Sequence, residues 1–140
     1  MADQSVGISD ISLYVPSPEL RLDELLEYRI KQRPDLERRL KRAVDTTGQQ
    51  SLRYPELWED PATLSAQALQ TLARQGNRLD GVRYLAVGTE TTVDHSKPIA
   101  AYVQGMMQQS DVSIPSSMST FQVQHACAGG TIAMLSVGAL

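Results

Sequence analysis

The only cysteine, Cys127, follows a short strand-like pattern and precedes a helical one. At a helix start, unpaired backbone N–H groups and the helix dipole lower the pKa of a thiol, which favours the nucleophilic thiolate. The position therefore indicates a candidate nucleophile. A lone cysteine flanked by Ala126 and Ala128 is also typical of a small buried filler, so the local context leaves both interpretations open.

Glu90 is the second candidate, because it comes just after a buried strand predicted over residues 82–87. Open α/β sheets bind ligands at the carboxyl ends of their strands. Partial desolvation there raises the pKa of a carboxyl group toward that of a working general acid or base. An exposed loop glutamate is the competing interpretation. The neighbouring Asp94, His95 and Lys97 are expected to be caps or surface charges.

Two glycines, Gly129 and Gly130, follow the cysteine in the first turn of the predicted helix. Each costs a helix about 1 kcal/mol relative to alanine, so we infer that a ligand or another backbone excludes side chains there. The ligand interpretation makes Gly129, Gly130 and Thr131 candidate substrate-binding residues. His125 would share a side of an extended chain with Cys127, but we expect a packed or capping histidine.

The elements that position these residues alternate between strand and helix. Strands are predicted over residues 6–15, 82–87 and 120–124, and helical spacing of apolar residues occurs over residues 22–30, 36–44, 61–75, 98–106 and 132–140. Residues 46–58 and 110–119 are predicted to be loops. The alternation implies a layered α/β structure with a largely parallel sheet.

The chain has 140 residues, enough for one modest domain or for part of a larger one. Hydrophobic residues make up 41% and charged residues 21%, which excludes disordered, collagen-like and disulfide-framework classes. The net charge of −3 provides no basic field for nucleic acid. A signal peptide, a transmembrane helix and an internal disulfide are not predicted, which favours a soluble protein of a reducing compartment without a membrane partner.

Charge is unevenly distributed along the chain. Seven of the 13 basic residues fall within residues 29–42, a run that is most typical of a solvated helix face because Glu27, Asp35 and Glu37 accompany it. Residues 112–140 contain no Asp, Glu, Lys or Arg. Because solvated faces normally carry charge, we expect this stretch to lie in the interior.

Two segments together resemble the N-terminal half of hydroxymethylglutaryl-CoA synthases. They are residues 88–97 (GTETTVDHSK) and residues 125–131 (HACAGGT). The opening residues 6–8 (VGI) and 14–17 (YVPS) are similar to that family's first strand and turn. The order of the two motifs and the separation of Glu90 from Cys127 also resemble the family.

The resemblance implies a thiolase-like α/β fold, with this chain as the N-terminal half of its layered α-β-α architecture, and Claisen-type chemistry. It implies that Cys127 accepts an acetyl group from a thioester and that Glu90 removes a proton from the acetyl methyl group. The resulting carbanion equivalent would add to the ketone of a 3-oxoacyl thioester, and hydrolysis would free the enzyme. Acetyl-CoA or an acyl-carrier-protein thioester is the implied substrate, with no cofactor and no metal.

The chain departs from the family pattern at several points. Ala128 stands where an aromatic residue commonly follows the cysteine, which implies a wider acyl pocket, and residues 46–53 (TTGQQSLR) replace a stretch containing glycine and lysine. The family's essential histidine lies in a C-terminal half, and neither His95 nor His125 matches it. We therefore expect residues 1–140 to work in the cytoplasm with a complementary chain that carries this histidine, in a dimer of thiolase-like units. Alone, the chain should expose apolar surface.

Three functions remain open. The first is a subunit or fragment of a hydroxymethylglutaryl-CoA synthase-like enzyme, in the mevalonate pathway or, with a carrier-protein donor, in polyketide β-branching. The basic residues 29–42 would suit an acidic carrier protein or CoA phosphates. The second is a ketosynthase-III-like condensing enzyme, which would not need Glu90. The third is a non-catalytic subunit that binds acyl-CoA or stabilises a partner.

Overall fold

The computed structural model describes residues 6–140, which form two compact units. One unit comprises residues 15–58, and the other comprises residues 59–140 together with the segment that ends at Tyr14.

The unit of residues 15–58 combines a helical pair with a short antiparallel ribbon. Its elements are β1 (Glu19–Arg21), α1 (Leu22–Gln32), α2 (Glu37–Thr47) and β2 (Ser51–Arg53). Both helices were predicted, and Pro34 separates them by opening a 3₁₀ turn, where its missing N–H is tolerated. The predicted loop over residues 46–58 is wrong at β2, which pairs with β1 through Leu52 opposite Leu20. Three residues are too short to show periodicity, so only the partner strand defines this one.

The basic run of residues 29–42 lies on α1, the 3₁₀ turn and α2, and all seven of its basic side chains are exposed. Two of them are paired: Arg33 Nη2 lies 2.7 Å from Asp35 Oδ2, and Lys41 Nζ lies 2.6 Å from Glu37 Oε1. Such pairing is typical of a solvated helix face.

The second unit is built around a parallel strand pair. Its elements are α3 (Pro61–Arg74), β3 (Tyr84–Thr89), α4 (Ile99–Gln108), β4 (Ser119–Gln124) and α5 (Gly129–Ala139). β3 and β4 run parallel, with Tyr84 opposite Ser119 and Thr89 opposite Gln124. The prediction of an α/β structure with a parallel sheet is confirmed for this pair.

The start of α3 shows how local sequence fixes an element. The Asp60 carboxylate accepts a hydrogen bond from the Thr63 amide (2.8 Å), and the Thr63 hydroxyl accepts one from the Asp60 amide (2.7 Å). This reciprocal pair is a capping box, and Pro61 occupies the first helical position, where a proline N–H is not needed. The predicted helix start at Asp60-Pro61 is confirmed.

Helices cover both faces of the strand pair. The buried core consists of side chains from α3 and α4, packed against Leu85 and Val87 of β3: Ala62, Ala66, Ile99, Val103 and Met107. Side chains alternate between the two faces of a strand, so Gly88 faces the other way, toward α5. The unit therefore has three layers, with α3 and α4 on one face and α5 on the other.

The predicted strand over residues 6–15 is wrong, because the structure assigns no strand to residues 6–15. Side chains hold this segment instead: the Ser12 hydroxyl donates to the Ala68 carbonyl (2.7 Å), and the Tyr14 hydroxyl donates to the Glu59 carboxylate. β-Branched residues favour a strand, but a strand forms only where another backbone pairs with it. Ile11 and Leu13 remain 71% and 78% exposed.

The uncharged stretch of residues 112–140 is only partly the interior that its composition predicted: Met118 is buried and Val112 and Ile114 pack against the core, but most of α5 is not covered. In α5 only Gly129 and Ala133 are buried, whereas Met134 and Leu135 are 52% and 65% exposed. One face of α5 packs on the sheet, and Met134 and Leu135 belong to the part of its surface that stays exposed. The expected exposure of apolar surface is thus observed.

Gly88 lets α5 approach β3 closely. A Cβ atom at Gly88 would lie 2.5 Å from Gly130 Cα and would also overlap the Gly129 backbone, so Gly88→Ala should destabilise the fold by about 1–3 kcal/mol. Gly105→Ala is the matched control, because its Cβ would have no neighbour within 4 Å and alanine favours the α4 helix. Urea denaturation followed by circular dichroism measures both, and equal unfolding free energies in the two variants would contradict this packing.

Candidate active site at the carboxyl ends of two parallel strands

The register of β3 and β4 brings the two predicted chemical residues to one edge of the sheet. Thr89 and Gln124 are opposite each other at the ends of the strands, and the His125 amide donates to the Thr89 carbonyl (3.0 Å). Glu90 is the next residue after β3, and Cys127 follows β4 by three residues. Neighbouring strands lie about 4.8 Å apart, so both residues leave the sheet at the same place.

Cys127 lies in a 3₁₀ turn, Ala126–Ala128, that leads directly into α5. The helix begins at Gly129, so Gly129 and Gly130 lie in its first turn, as predicted, and Cys127 lies two residues before it. The free thiol is exposed. The interpretation of Cys127 as a buried filler is therefore wrong for the described residues, which leave the thiol accessible to solvent.

Glu90 is exposed at the mouth of the loop over residues 90–98. The desolvation that would assist a general acid or base is not provided by the described residues. The main chain of Glu90, in contrast, is held: its carbonyl accepts a hydrogen bond from Gln124 Nε2 (3.4 Å). The structure thus fixes the main chain of Glu90 and leaves its carboxylate exposed to solvent.

Asp94 organises the turn that follows. Its Oδ1 accepts from the Ser96 amide (2.6 Å) and the Lys97 amide (3.3 Å), and its Oδ2 accepts from the Tyr102 hydroxyl (2.7 Å). The hydrogen bond from the Ser96 N–H has the largest effect on the Asp94 carboxyl and the one from the Tyr102 hydroxyl the next largest, and both hold the pKa of Asp94 below its ordinary value. The same contact raises the pKa of Tyr102. Asp94 is not a helix cap, because Pro98 is the N-cap of α4 and that cap has no side-chain hydrogen bond. Asp94 instead accepts from backbone amides of the turn, while His95 and Lys97 are exposed, as expected of surface charges.

Two glutamines of β4 hold the loop over residues 90–98 at its two ends, and sequence reasoning missed both. Gln122 Oε1 accepts from the Ile99 amide (2.8 Å) at the start of α4. Gln124 contacts the loop at Glu90. The signal in the sequence was their alternation with Phe121 and Val123, which places both amide side chains on one face of the strand.

The sequence suggested that either a ligand or another backbone excludes side chains at the glycines after the cysteine, and the structure gives different answers for Gly129 and Gly130. A Cβ atom at Gly129 would lie 3.0 Å from the Thr89 amide nitrogen and 3.1 Å from the Val123 carbonyl oxygen, so close backbone approach accounts for this glycine. A Cβ atom at Gly130 would have no neighbour within 4 Å, and Thr131 is exposed. Gly130 and Thr131 therefore border open space beside Cys127.

The prediction for His125 is wrong. The side chain is exposed, and it makes no capping hydrogen bond to the 3₁₀ turn that follows. The residue is fixed by its main chain, since its amide extends the contact between β3 and β4 by one residue beyond the ladder.

Residues 6–140 lack two further features. They contain no group of three or more His, Cys, Asp or Glu side chains arranged to hold a metal ion. None of their helices is both long and apolar enough to cross a membrane.

Residues 2–139 match the family described as hydroxymethylglutaryl-coenzyme A synthase N terminal. The structure titled MvaS in complex with 3-hydroxy-3-methylglutaryl coenzyme A is similar, with 31% identity and a TM-score of 0.77 over 93% of this chain and 28% of that chain. Comparison with curated proteins gave no match.

Two further structures share the fold at lower identity. PksG, an HMG-CoA synthase from Bacillus subtilis, has 19% identity and a TM-score of 0.75 over 93% of this chain and 30% of its own. A β-ketoacyl-[acyl carrier protein] synthase III from Thermus thermophilus has 23% identity and a TM-score of 0.76 over 96% and 38%. The fold is thus thiolase-like, as predicted, and the chain spans well under half the length of these structures.

The hydrogen bonds of Asp94 lead to a pH prediction. Because its folded-state pKa is lowered, the stabilisation that the carboxylate gives this loop is complete above the ordinary value of 3.8 and is lost as pH falls through the lower folded value. An NMR titration of the Asp94 carboxyl carbon should show a midpoint below 3.8, and Tyr102→Phe should move that midpoint upward. Tyr84→Phe is the control, and an unchanged midpoint in Tyr102→Phe would argue against the contact.

Proposed function

Since the chain belongs to the hydroxymethylglutaryl-coenzyme A synthase family, we propose that it contributes Cys127 and Glu90 to the condensation of an acetyl thioester with a 3-oxoacyl thioester. The observation that carries the proposal is the arrival of both residues at one sheet edge, through the Thr89–Gln124 register. The exposed thiol of Cys127 adds to it. A relative that is 31% identical has 3-hydroxy-3-methylglutaryl coenzyme A bound, a compound of the expected product class.

The first step is transfer of the acetyl group to the enzyme. The Cys127 thiolate attacks the acetyl carbonyl carbon, a new C–S bond forms, and the bond to the donor sulfur breaks. The donor leaves as a thiolate and takes up the proton that Cys127 lost when it ionised. Backbone N–H groups at the turn into α5 can stabilise the oxyanion that develops. The small residues around the cysteine leave this carbonyl accessible.

The second step uses Glu90. Its carboxylate removes a proton from the methyl group of the acetyl-cysteine, whose thioester keeps that proton acidic. The carbanion equivalent forms a C–C bond to the ketone carbon of the 3-oxoacyl thioester, and the ketone oxygen becomes a hydroxyl by taking up a proton. Water then hydrolyses the thioester to Cys127, which releases a free carboxylate and the thiol.

The remaining parts of this enzyme lie outside the chain in our proposal. A complementary C-terminal part carries the essential histidine and covers the exposed apolar residues of α5, and two such units form a dimer. The complementary C-terminal part also desolvates Glu90, which the described residues leave exposed. The thioester is the substrate, no resident cofactor or metal takes part, and a cytoplasmic location suits a reactive, unpaired thiol.

The decisive experiment follows the two steps separately in the complete enzyme, that is, this chain together with the complementary part. Acetyl transfer is measured by mass spectrometry of the Cys127 peptide after incubation with acetyl-CoA. Proton removal is measured as exchange of acetyl methyl protons with D₂O. Cys127→Ser should abolish the adduct, because an unactivated hydroxyl is a much weaker nucleophile than a thiolate.

Glu90→Gln is the matched variant for the second step. It should keep the acetyl adduct and slow methyl-proton exchange by about 10²–10⁴-fold, the range for a positioned general base. Full condensation by Glu90→Gln would instead favour a ketosynthase-III-like enzyme. The absence of any adduct on Cys127 in the complete enzyme would overturn the catalytic proposal in favour of a non-catalytic subunit.

The exposed basic residues of α2 favour a protein-bound donor. Arg38, Arg39 and Arg42 point to solvent, and no Asp or Glu side chain in the described part of the chain forms an ion pair with them within 4.0 Å. Three guanidinium groups within about one helical turn complement the carboxylates of an acidic carrier protein. We therefore propose that this face of α2 binds the protein that delivers the acyl thioester.

Charge reversal tests this donor preference. Changing Arg38, Arg39 and Arg42 to Glu should raise KM for an acetyl-carrier-protein donor by about tenfold or more, with KM for acetyl-CoA changed about twofold or less, because only the former presents a charged protein surface. The control reverses Arg74, Arg78 and Arg83, which are also exposed. A rise in KM for acetyl-CoA alone would instead assign the face to CoA phosphates. An equal rise for both donors, or no change for either, would argue against a carrier-protein site on this face.

A further inference from the structure

We infer that Gln122 and Gln124 are positioning residues that hold the Glu90 loop, residues 90–98, at its two ends. The inference rests on the proposed function, because only that function gives the Glu90 carboxylate a task. Both glutamines lie on β4, two residues apart, and so on the same face of the strand. One contacts the first residue of the loop and the other the residue that follows its end.

The contact at the end of the loop is the stronger one. Gln122 Oε1 accepts a hydrogen bond from the Ile99 amide at 2.8 Å. Ile99 is fully buried, with 0% exposure, and its amide lies in the first turn of α4, where the helix offers no internal acceptor. The glutamine therefore satisfies a group that water does not reach. The Thr92 hydroxyl lies 3.4 Å from the same oxygen, which brings the middle of the loop to this point as well.

The contact at the start of the loop acts on the proposed base itself. Gln124 Nε2 donates to the Glu90 carbonyl oxygen at 3.4 Å. The preceding residue is held as well, because the Thr89 carbonyl accepts a hydrogen bond from the His125 amide. The main chain at residues 89 and 90 is thus attached to β4 twice, once through a backbone amide and once through a side chain, while the Glu90 carboxylate extends into solvent.

The two glutamines use opposite ends of their amide groups. Ile99 offers a donor, so Gln122 must present its oxygen, whereas Glu90 offers a carbonyl, so Gln124 must present its nitrogen. The conservative substitutions are therefore opposite at the two positions. Gln122→Glu keeps an acceptor and Gln122→Met loses it. Gln124→Lys keeps a donor, and Gln124→Glu sets a carboxylate oxygen against the Glu90 carbonyl.

Because Gln122 must accept and Gln124 must donate, each position has one disruptive and one conservative substitution to test in the complete enzyme. Gln122→Met and Gln124→Glu should slow D₂O exchange of the acetyl methyl protons by about tenfold to a hundredfold, the scale expected when a catalytic group is displaced by about 1 Å. Acetyl transfer to Cys127, which does not use Glu90, should change about twofold or less. Gln122→Glu and Gln124→Lys should restore methyl-proton exchange to near the wild-type rate.

Amide hydrogen exchange of residues 90–99 in the same four variants measures how firmly the loop is held, independently of enzyme activity. Faster exchange in Gln122→Met and Gln124→Glu alone supports the inference, and equal exchange in all four variants overturns it. Parallel loss of acetyl transfer and methyl-proton exchange in all four would also overturn it, by assigning the glutamines a general structural role. A wild-type enzyme that forms no acetyl-Cys127 refutes the proposed function. The acetyl-transfer assay on wild-type enzyme detects that failure separately from any effect of the four variants.

Discussion

The parallel register between β3 and β4 is the constraint on which the site depends. A shift of one residue in a sheet moves every side chain to the opposite face. Such a shift of β4 would turn Gln122 and Gln124 away from the loop over residues 90–98 and would change how Glu90 and Cys127 meet at the sheet edge. The close approach of α5 reinforces this register, because its first turn fits against β3 only where Gly88 has no side chain.

The two faces of the strand pair differ in how far this chain completes them. On one face, α3 and α4 enclose a core in which Ile99 is fully buried. On the other, α5 contacts the sheet through small residues and presents Met134 and Leu135 to solvent. A charge-free helix with an exposed apolar surface is unfavourable in water, which is why we propose that a complementary part covers this side.

Prediction from sequence worked where a few neighbouring residues decide the structure, and it failed where a distant partner decides. Asp60 and Pro61 marked the start of α3 because capping involves only the next three residues. Residues 6–15 have strand composition but no paired backbone, and Ser51–Arg53 form a strand despite having no periodic signal, because β1 pairs with them. For His125 the error had the same origin: its packing depends on neighbours that local sequence does not specify.

The sequence by itself determined which residues can do chemistry, since Cys127, Glu90 and the surrounding motifs establish the family and its nucleophile and base as candidates. Only the tertiary structure decided how those residues are presented. It placed the two at one edge, exposed both, explained Gly129 by the backbone of β3, and added Gln122 and Gln124 as the contacts that hold the loop. The reason is physical: reactivity belongs to a side chain and its nearest neighbours, whereas register, burial and close backbone approach arise from segments that are distant in sequence.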